Sequence, residues 1–215
     1  MLNSLTTDSG MILKIGMSGL HVQGLQHILH IYPDGKFGPL TEEAVKEFQT
    51  SHGLTADGIV GAKTWAALKS AEDGVFKKST RVINEIIVHC SATPEGKDYS
   101  LDTIRQWHRQ RGFSDIGYHY VIHPDGTVEE GRDVNIAGAH CSGHNSKSIG
   151  ICYIGGMTAD NKKAKDTRTE EQRTNLKALL MAMRKLYPSA KIHGHRDFAA
   201  KACPSFDATE EYKNI

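Results

Sequence analysis

Residues 83–89 read Ile83-Asn-Glu-Ile-Ile-Val-His89, an apolar run that ends in a titratable ring. Its length and its β-branched residues predict a buried strand. The sequence downstream repeats the signal. Tyr118-His-Tyr-Val-Ile-His123 reads as a second strand, Pro124-Asp-Gly126 as a turn into Thr127-Val-Glu-Glu130, and Ser148-Ile-Gly-Ile-Cys-Tyr-Ile154 as a further buried strand. Helices separate them. Leu101 to Arg111 is helical, with Leu101, Ile104 and Trp107 facing inward. Thr169-Glu-Glu-Gln172 is a capping box that opens a long helix whose apolar face is Leu176, Leu179, Leu180, Met183 and Leu186. Strands alternating with helices predict an α/β class, a mixed central sheet flanked by helices.

Upstream of this region the sequence repeats itself. Asp34-Gly-Lys-Phe-Gly-Pro-Leu-Thr41-Glu-Glu-Ala-Val45 aligns with Asp57-Gly-Ile-Val-Gly-Ala-Lys-Thr64-Trp-Ala-Ala-Leu68, 23 residues later (57 − 34 = 23). Each copy reads as an Asp-Gly turn followed by a helix that Thr41 or Thr64 is expected to cap. Val22, Leu25 and Leu29 add an amphipathic stripe before them. Residues from about 11 to 70 are thus expected to form a three-helix unit around Leu25, Leu29, Phe37, Val45, Phe48, Leu54, Val60, Trp65 and Leu68. The expected organisation is a small module over 1–72, a polar linker over 73–80 and a larger domain over 81–215.

Composition agrees with this division. The chain has 215 residues, about 1.4 domains at roughly 150 residues each. Lys and Arg number 26 against 25 Asp and Glu, so no polyelectrolyte partner is implied and no nucleic-acid binding is expected. Residues 1–73 carry 5 basic and 8 acidic side chains (net −3) and residues 74–215 carry 21 and 17 (net +4), a modest asymmetry. The longest apolar stretch, Ala178 to Met183, is far too short to span a bilayer, so no membrane insertion is expected. The start, MLNSLTTDSGMILK, lacks the basic and apolar regions of a secretory signal. In a reducing compartment four cysteines read as thiols or metal ligands, although a Cys141/Cys152 bridge is compatible with the sequence.

Twelve histidines and four cysteines direct attention to metal chemistry. His89, at the mouth of a buried strand, needs a partner for its ring nitrogens, either a metal or a neighbouring loop. Lys191-Ile-His193-Gly-His195-Arg-Asp-Phe-Ala-Ala-Lys201-Ala-Cys203-Pro offers His193, His195, Lys201 and Cys203 where a loop can curl around one ion. A catalytic zinc takes three protein ligands and leaves a fourth position for water. Lys201 and Cys203, at i and i+2, share a face if the loop is extended. Tyr118 is a candidate proton donor and equally a packing residue. His108, His119, His123 and His140 read as surface groups or as supports behind a site, and Cys90 and Cys152 as core.

Taken in order, six segments resemble one family: Ile87-Val-His89-Cys-Ser-Ala-Thr93, Ile104-Arg-Gln-Trp107-His, Gly117-Tyr118-His-Tyr, Asp125-Gly-Thr-Val-Glu-Glu-Gly-Arg132, Ser148-Ile-Gly-Ile-Cys-Tyr-Ile-Gly-Gly156 and Lys201-Ala-Cys203-Pro-Ser-Phe-Asp207. They look like the phage-lysozyme branch of the zinc-dependent N-acetylmuramoyl-L-alanine amidases. That family also includes muropeptide-recycling amidases and animal peptidoglycan-recognition proteins. The doubled Asp-Gly…Gly…Thr pattern resembles a three-helix peptidoglycan-binding module. The resemblance implies the amidase/peptidoglycan-recognition fold, Zn²⁺ held by His89, His195 and Cys203, and Tyr118 and Lys201 as catalytic groups. Its implied substrate is bacterial peptidoglycan, cut between the lactyl group of N-acetylmuramic acid and L-alanine by a monomeric endolysin. Such an enzyme waits in the host cytoplasm and reaches the cell wall or periplasm at lysis. A non-catalytic receptor is the alternative from another class, disfavoured because Cys203 is present. A cytosolic recycling amidase is the other, disfavoured by the module and by Cys152 where that branch has an acidic residue.

Overall fold

A computed structural model describes residues 11–29, 31–74 and 76–215, and divides the chain between Phe76 and Lys77 into two compact units. In the first, helices α1 (Leu20–Ile28), α2 (Pro39–Ser51) and α3 (Ala62–Gly74) enclose a core of Leu13, Val22, Leu25, Phe37, Val45, Val60 and Leu68. Leu29, Phe48 and Trp65 pack on it half-buried, and Trp65 Nε1 donates to the Met11 carbonyl at 2.7 Å. Leu54, expected in the core, is half-buried outside that cluster.

The repeat is a hydrogen-bond device as well as a turn. Gln26, in α1, donates from Nε2 to Asp34 Oδ1 (2.7 Å), the Lys36 carbonyl (3.1 Å) and Thr41 Oγ1 (2.9 Å), and accepts the Gly35 N–H (2.8 Å). Gln49, in α2, does the same 23 residues on (49 − 26 = 23). It donates to Asp57 Oδ1 (2.8 Å), the Ile59 carbonyl (3.0 Å) and Thr64 Oγ1 (3.1 Å), and accepts the Gly58 N–H (2.9 Å). Thr41 and Thr64 therefore do not cap their helices as expected. The residue before α2 is Gly38, with no side-chain cap, and each threonine hydroxyl instead donates back to a turn carbonyl, Lys36 or Ile59. The buried glutamine, outside the matched segments, is what draws the threonine inward.

The second unit is built on a five-stranded mixed sheet in the order β4-β3-β5-β1-β7. Its strands are β1 (Glu85–Cys90), β3 (Tyr120–Ile122), β4 (Val128–Glu130), β5 (Ser148–Tyr153) and β7 (Lys191–Gly194). Strand β1 runs parallel to β5 and β7, β3 runs parallel to β5, and only the β3–β4 hairpin is antiparallel. A parallel pair formed by β2 (Thr93–Pro94) and β6 (Gly156–Met157) extends past the ends of β1 and β5. Helix α4 (Leu101–Gln110) buries Ile104 with Ile116, Val121 and Ile154, and Leu101 and Trp107 flank that cluster as predicted. Helix α5 (Glu170–Leu186) begins with the predicted capping box, Thr169 accepting from the Gln172 N–H and Gln172 returning the bond. Gln172 also donates to the carbonyls of Ile122 and Ile154, which fixes the start of α5 to two strand ends.

Strand β7 was not predicted. With Ile192 as its sole large apolar residue it carries almost no strand signal, and pairing with β1 defines it. The short helix α6 (Ala208–Glu211) follows, and beside it the buried Arg168 guanidinium binds Asp166, Glu211 and the Tyr212 hydroxyl, with Phe206 against its face. Ser79 and Thr80, read as the end of the linker, are bonded into this unit through Tyr187, Val134 and Asn135. All four cysteines are free thiols, so the Cys141/Cys152 bridge is not formed. Among the described residues no helix is long and apolar enough to cross a membrane.

Candidate metal centre

Two stretches far apart in sequence, β1 and residues 195–203, meet at the end of β1. His89 is the fifth residue of that strand and is 1 % exposed. Because Val88 pairs with Gly194 across β1 and β7, the residues that follow, His89 in β1 and His195 just past β7, are side by side, with ring centroids 4.6 Å apart. His195 opens a short 3₁₀ turn over His195–Asp197, fixed by the Gly194 N–H donating to Asp197 Oδ2 (2.9 Å) and by the Arg196 N–H donating to the Cys203 carbonyl (2.7 Å). Cys203 Sγ accepts the Cys90 N–H at 3.3 Å and lies 3.8 Å from His89 Nδ1.

The candidate ligand atoms of His89, His195 and Cys203 all lie within 4.8 Å of one another, the one such group among the described residues. His193 is not part of it: its ring packs against Phe198 at 5.0 Å and faces Asp197. Lys201 is exposed, and its segment runs in turns rather than extended, so the i, i+2 argument for a shared face does not apply. Its charge nevertheless reaches both histidines.

The electrostatics suit a cation. Burial holds His89 well below the usual histidine range, and the neighbouring His140, His195 and Lys201 disfavour a charge on its ring further. Burial and Lys201 lower His195 in the same direction. Both imidazoles are therefore neutral donors with lone pairs available. The neighbouring Cys90 thiol and burial push the Cys203 thiol up. A thiol that coordinates a divalent cation is deprotonated, so a bound cation would reverse that preference. Two imidazoles and a thiol are the donor set of a borderline-soft ion, so the residues fit a metal.

Tyr118 is half-buried, its ring 5.2 Å from that of His89 and 5.1 Å from that of His108. Burial, then the surrounding Cys152, Cys203 and Cys90 sulfurs, raises its hydroxyl well above the ordinary tyrosine range, so it remains an O–H donor. It can sit there because Gly117 has no Cβ; one would come within 2.3 Å of the Ala139 carbonyl oxygen.

The four histidines read as surface or supporting groups are all buried. His108 Nδ1 accepts the Gly117 N–H (2.8 Å) and His119 Nδ1 accepts the Gly150 N–H (2.9 Å). Burial lowers both rings to about 4, so they stay neutral. His140 stands directly behind His89, Nδ1 to Nε2 at 3.0 Å. His123 belongs elsewhere, its ring nitrogens facing Asp98 and Glu129. Sequence reasoning undervalued these rings because each is recruited by a backbone group or ring that only the tertiary fold brings near. Cys152 is buried as expected, and so is Cys90, whose sulfur faces Ser205.

Comparison with known proteins identifies the unit. A family described as N-acetylmuramoyl-L-alanine amidase matches residues 79–206. The chain belongs to that amidase family. The endolysin of Enterobacteria phage K11 is 45 % identical to the amidase over 124 residues, which is 58 % of this chain and 82 % of the relative. The endolysin of Escherichia phage T7 is 42 % identical over 130 residues, 60 % and 85 % of the respective chains. Among solved structures, the N-acetylmuramoyl-L-alanine amidase LysC from Clostridium intestinale URNW is similar with a TM-score of 0.52 at 28 % identity, covering 63 % of this chain and 89 % of that one. Drosophila PGRP-LB gives 0.52 at 26 % identity, covering 64 % and 84 %. Residues 21–68 match a family described as a putative peptidoglycan binding domain. The protein is accordingly an amidase that hydrolyses peptidoglycan, and its closely similar relatives are phage endolysins.

Proposed function

We propose that this amidase is a zinc enzyme in which His89, His195 and Cys203 hold the metal and Tyr118 and Lys201 act beside its open position. The observation that carries the proposal is the convergence of three ligand atoms within 4.8 Å from strand β1, the turn after β7 and the loop before α6. When bound there, zinc supplies Lewis acidity to the scissile carbonyl and to the attacking water, whose pKa falls towards about 7. The bond cut is the amide between the lactyl group of N-acetylmuramic acid and L-alanine.

The chain's own groups perform the rest. The Lys201 ammonium stabilises the negative charge that develops on the carbonyl oxygen. Tyr118 holds a proton at its hydroxyl, where it hydrogen-bonds the attacking water or serves the departing L-alanine nitrogen. His89 and His195, kept neutral by burial, present lone pairs rather than competing charge. The presence of Cys203 beside both histidines favours catalysis over the receptor reading.

Residues 1–72 serve as a wall-binding module that makes the second contact with an insoluble polymer effectively intramolecular. The protein works as a monomer, held in the host cytoplasm until lysis and then acting on the cell wall. Mass spectrometry of digested sacculi tests the reaction. New L-alanine amino ends are the expected product, and new reducing sugars in their place would overturn it.

A further inference from the structure

The His140 ring occupies a space that two glycines leave open. A Cβ on Gly138 would come within 2.3 Å of its Cδ2, and one on Gly150, in the middle of β5, within 2.5 Å. The loop that carries it is fixed by Asn145, whose Oδ1 accepts the backbone N–H groups of His140 (2.8 Å) and Cys141 (2.9 Å). Inside this cradle each ring nitrogen has one partner: Nδ1 is 3.0 Å from His89 Nε2, and Nε2 is 3.3 Å from the hydroxyl of the fully buried Ser148.

The direction of these bonds follows from His89. That ring turns Nδ1 towards Cys203 Sγ. His89 Nδ1 would give its lone pair to a cation held between them, and the ring proton would then stand on Nε2. His140 must accept that proton's hydrogen bond at Nδ1, carry its own proton on Nε2 and donate it to Ser148 Oγ.

We propose that His140 is a positioning residue for the metal centre: as the neutral Nε2–H tautomer it accepts from His89 Nε2 and holds the His89 ring with Nδ1 aimed at the cation. The inference rests on the reading of His89, His195 and Cys203 as ligands. Metal-bound imidazoles usually donate to a carboxylate, a carbonyl or water. Here a second imidazole fills that place, which orients the ligand without adding charge to the centre.

Zinc binding by the full chain tests it, with metal-stripped protein titrated with zinc chloride against a chromophoric chelator. His140→Ala is expected to weaken zinc binding about 10–100-fold. His140→Asn, whose Oδ1 can accept at the Nδ1 position, is expected to restore most of it. Long-range ¹H–¹⁵N spectra of the zinc-loaded wild type are expected to show both His89 and His140 protonated at Nε2. Wild-type zinc affinity in His140→Ala, or His140 protonated at Nδ1, would overturn the inference. If His140→Ala fails to fold, the wild-type tautomers decide alone. Two controls separate this inference from the ligand assignment. If His89→Ala and Cys203→Ser also bind zinc as the wild type does, the ligands themselves are wrong and both readings fall. If those two lose zinc while His140→Ala keeps it, the positioning role alone falls.

Discussion

In the first unit Gln26 and Gln49 are 2 % and 1 % exposed, and in the second His89 is 1 % exposed. All three bury a polar side chain to the same degree, yet to different ends. Each glutamine amide is fully matched within its own repeat, donating to an aspartate, a carbonyl and a threonine and accepting a glycine N–H. His89 is matched less tightly: Nε2 meets His140 at 3.0 Å, whereas Nδ1 has, among the described residues, only the Cys203 thiol at 3.8 Å, with the His195 ring alongside. A closed network holds a fold together, and one left with convergent lone pairs is shaped to take something from outside.

The open network is most vulnerable at Cys203. Cys203→Ser is expected to lose both bound zinc and wall hydrolysis, by more than the roughly 10²–10³-fold that a single lost oxyanion donor costs. Metal analysis and a turbidity assay on sacculi check both losses, and a fully active variant would move the ligand elsewhere. Lys201→Ala comes next, with zinc retained and turnover down about 10²–10³-fold. Unchanged turnover would remove Lys201 from the chemistry. Deleting residues 1–72 is expected to weaken binding to sacculi by about 10-fold or more while sparing small soluble muropeptides; equal pelleting of both forms would end the targeting role.

Two smaller effects probe the closed networks. Gln49→Ala leaves the Gly58 N–H without its buried acceptor, and is expected to destabilise the first unit by about 1–3 kcal/mol. Thermal unfolding measures the loss, and turnover of soluble muropeptides should not change. Asp166 provides the pH test. Burial alone would raise its carboxyl, but hydrogen bonds and charge from Arg168, with Arg173, hold it at about 2. A depressed pKa contributes stability that is complete above the unfolded value near 4 and is lost as pH falls through about 2. The second unit should therefore lose stability over that window in the wild type, and Asp166→Asn should flatten this part of the profile.

How much of this was legible in the sequence differs between the two kinds of network. Ile86, Ile87 and Val88 announce β1, and the Thr169 capping box announces α5, because local chemistry alone decides them. Strand β7 is silent, since pairing with β1 defines it. Thr41 and Thr64 were misread as caps because their true partner, a glutamine 15 residues upstream, lies outside the turn. The grouping of His89, His195 and Cys203 was expected through family resemblance, but not from spacing, which left His193 equally eligible. The role of Gly150 was hidden altogether: nothing in Ser148-Ile-Gly-Ile151 says which ring needs the missing side chain.

His89 and Cys203 stand 114 residues apart along the chain. An ion shared by them would therefore act as a clasp on connectivity, holding closed a loop that contains nearly all of the sheet. Loop closure on that scale constrains the unfolded chain much as a long-range disulfide does. In a protein whose four cysteines are all free, a metal held there would also be a cross-link, and stripping it would loosen the whole second unit as well as silence it.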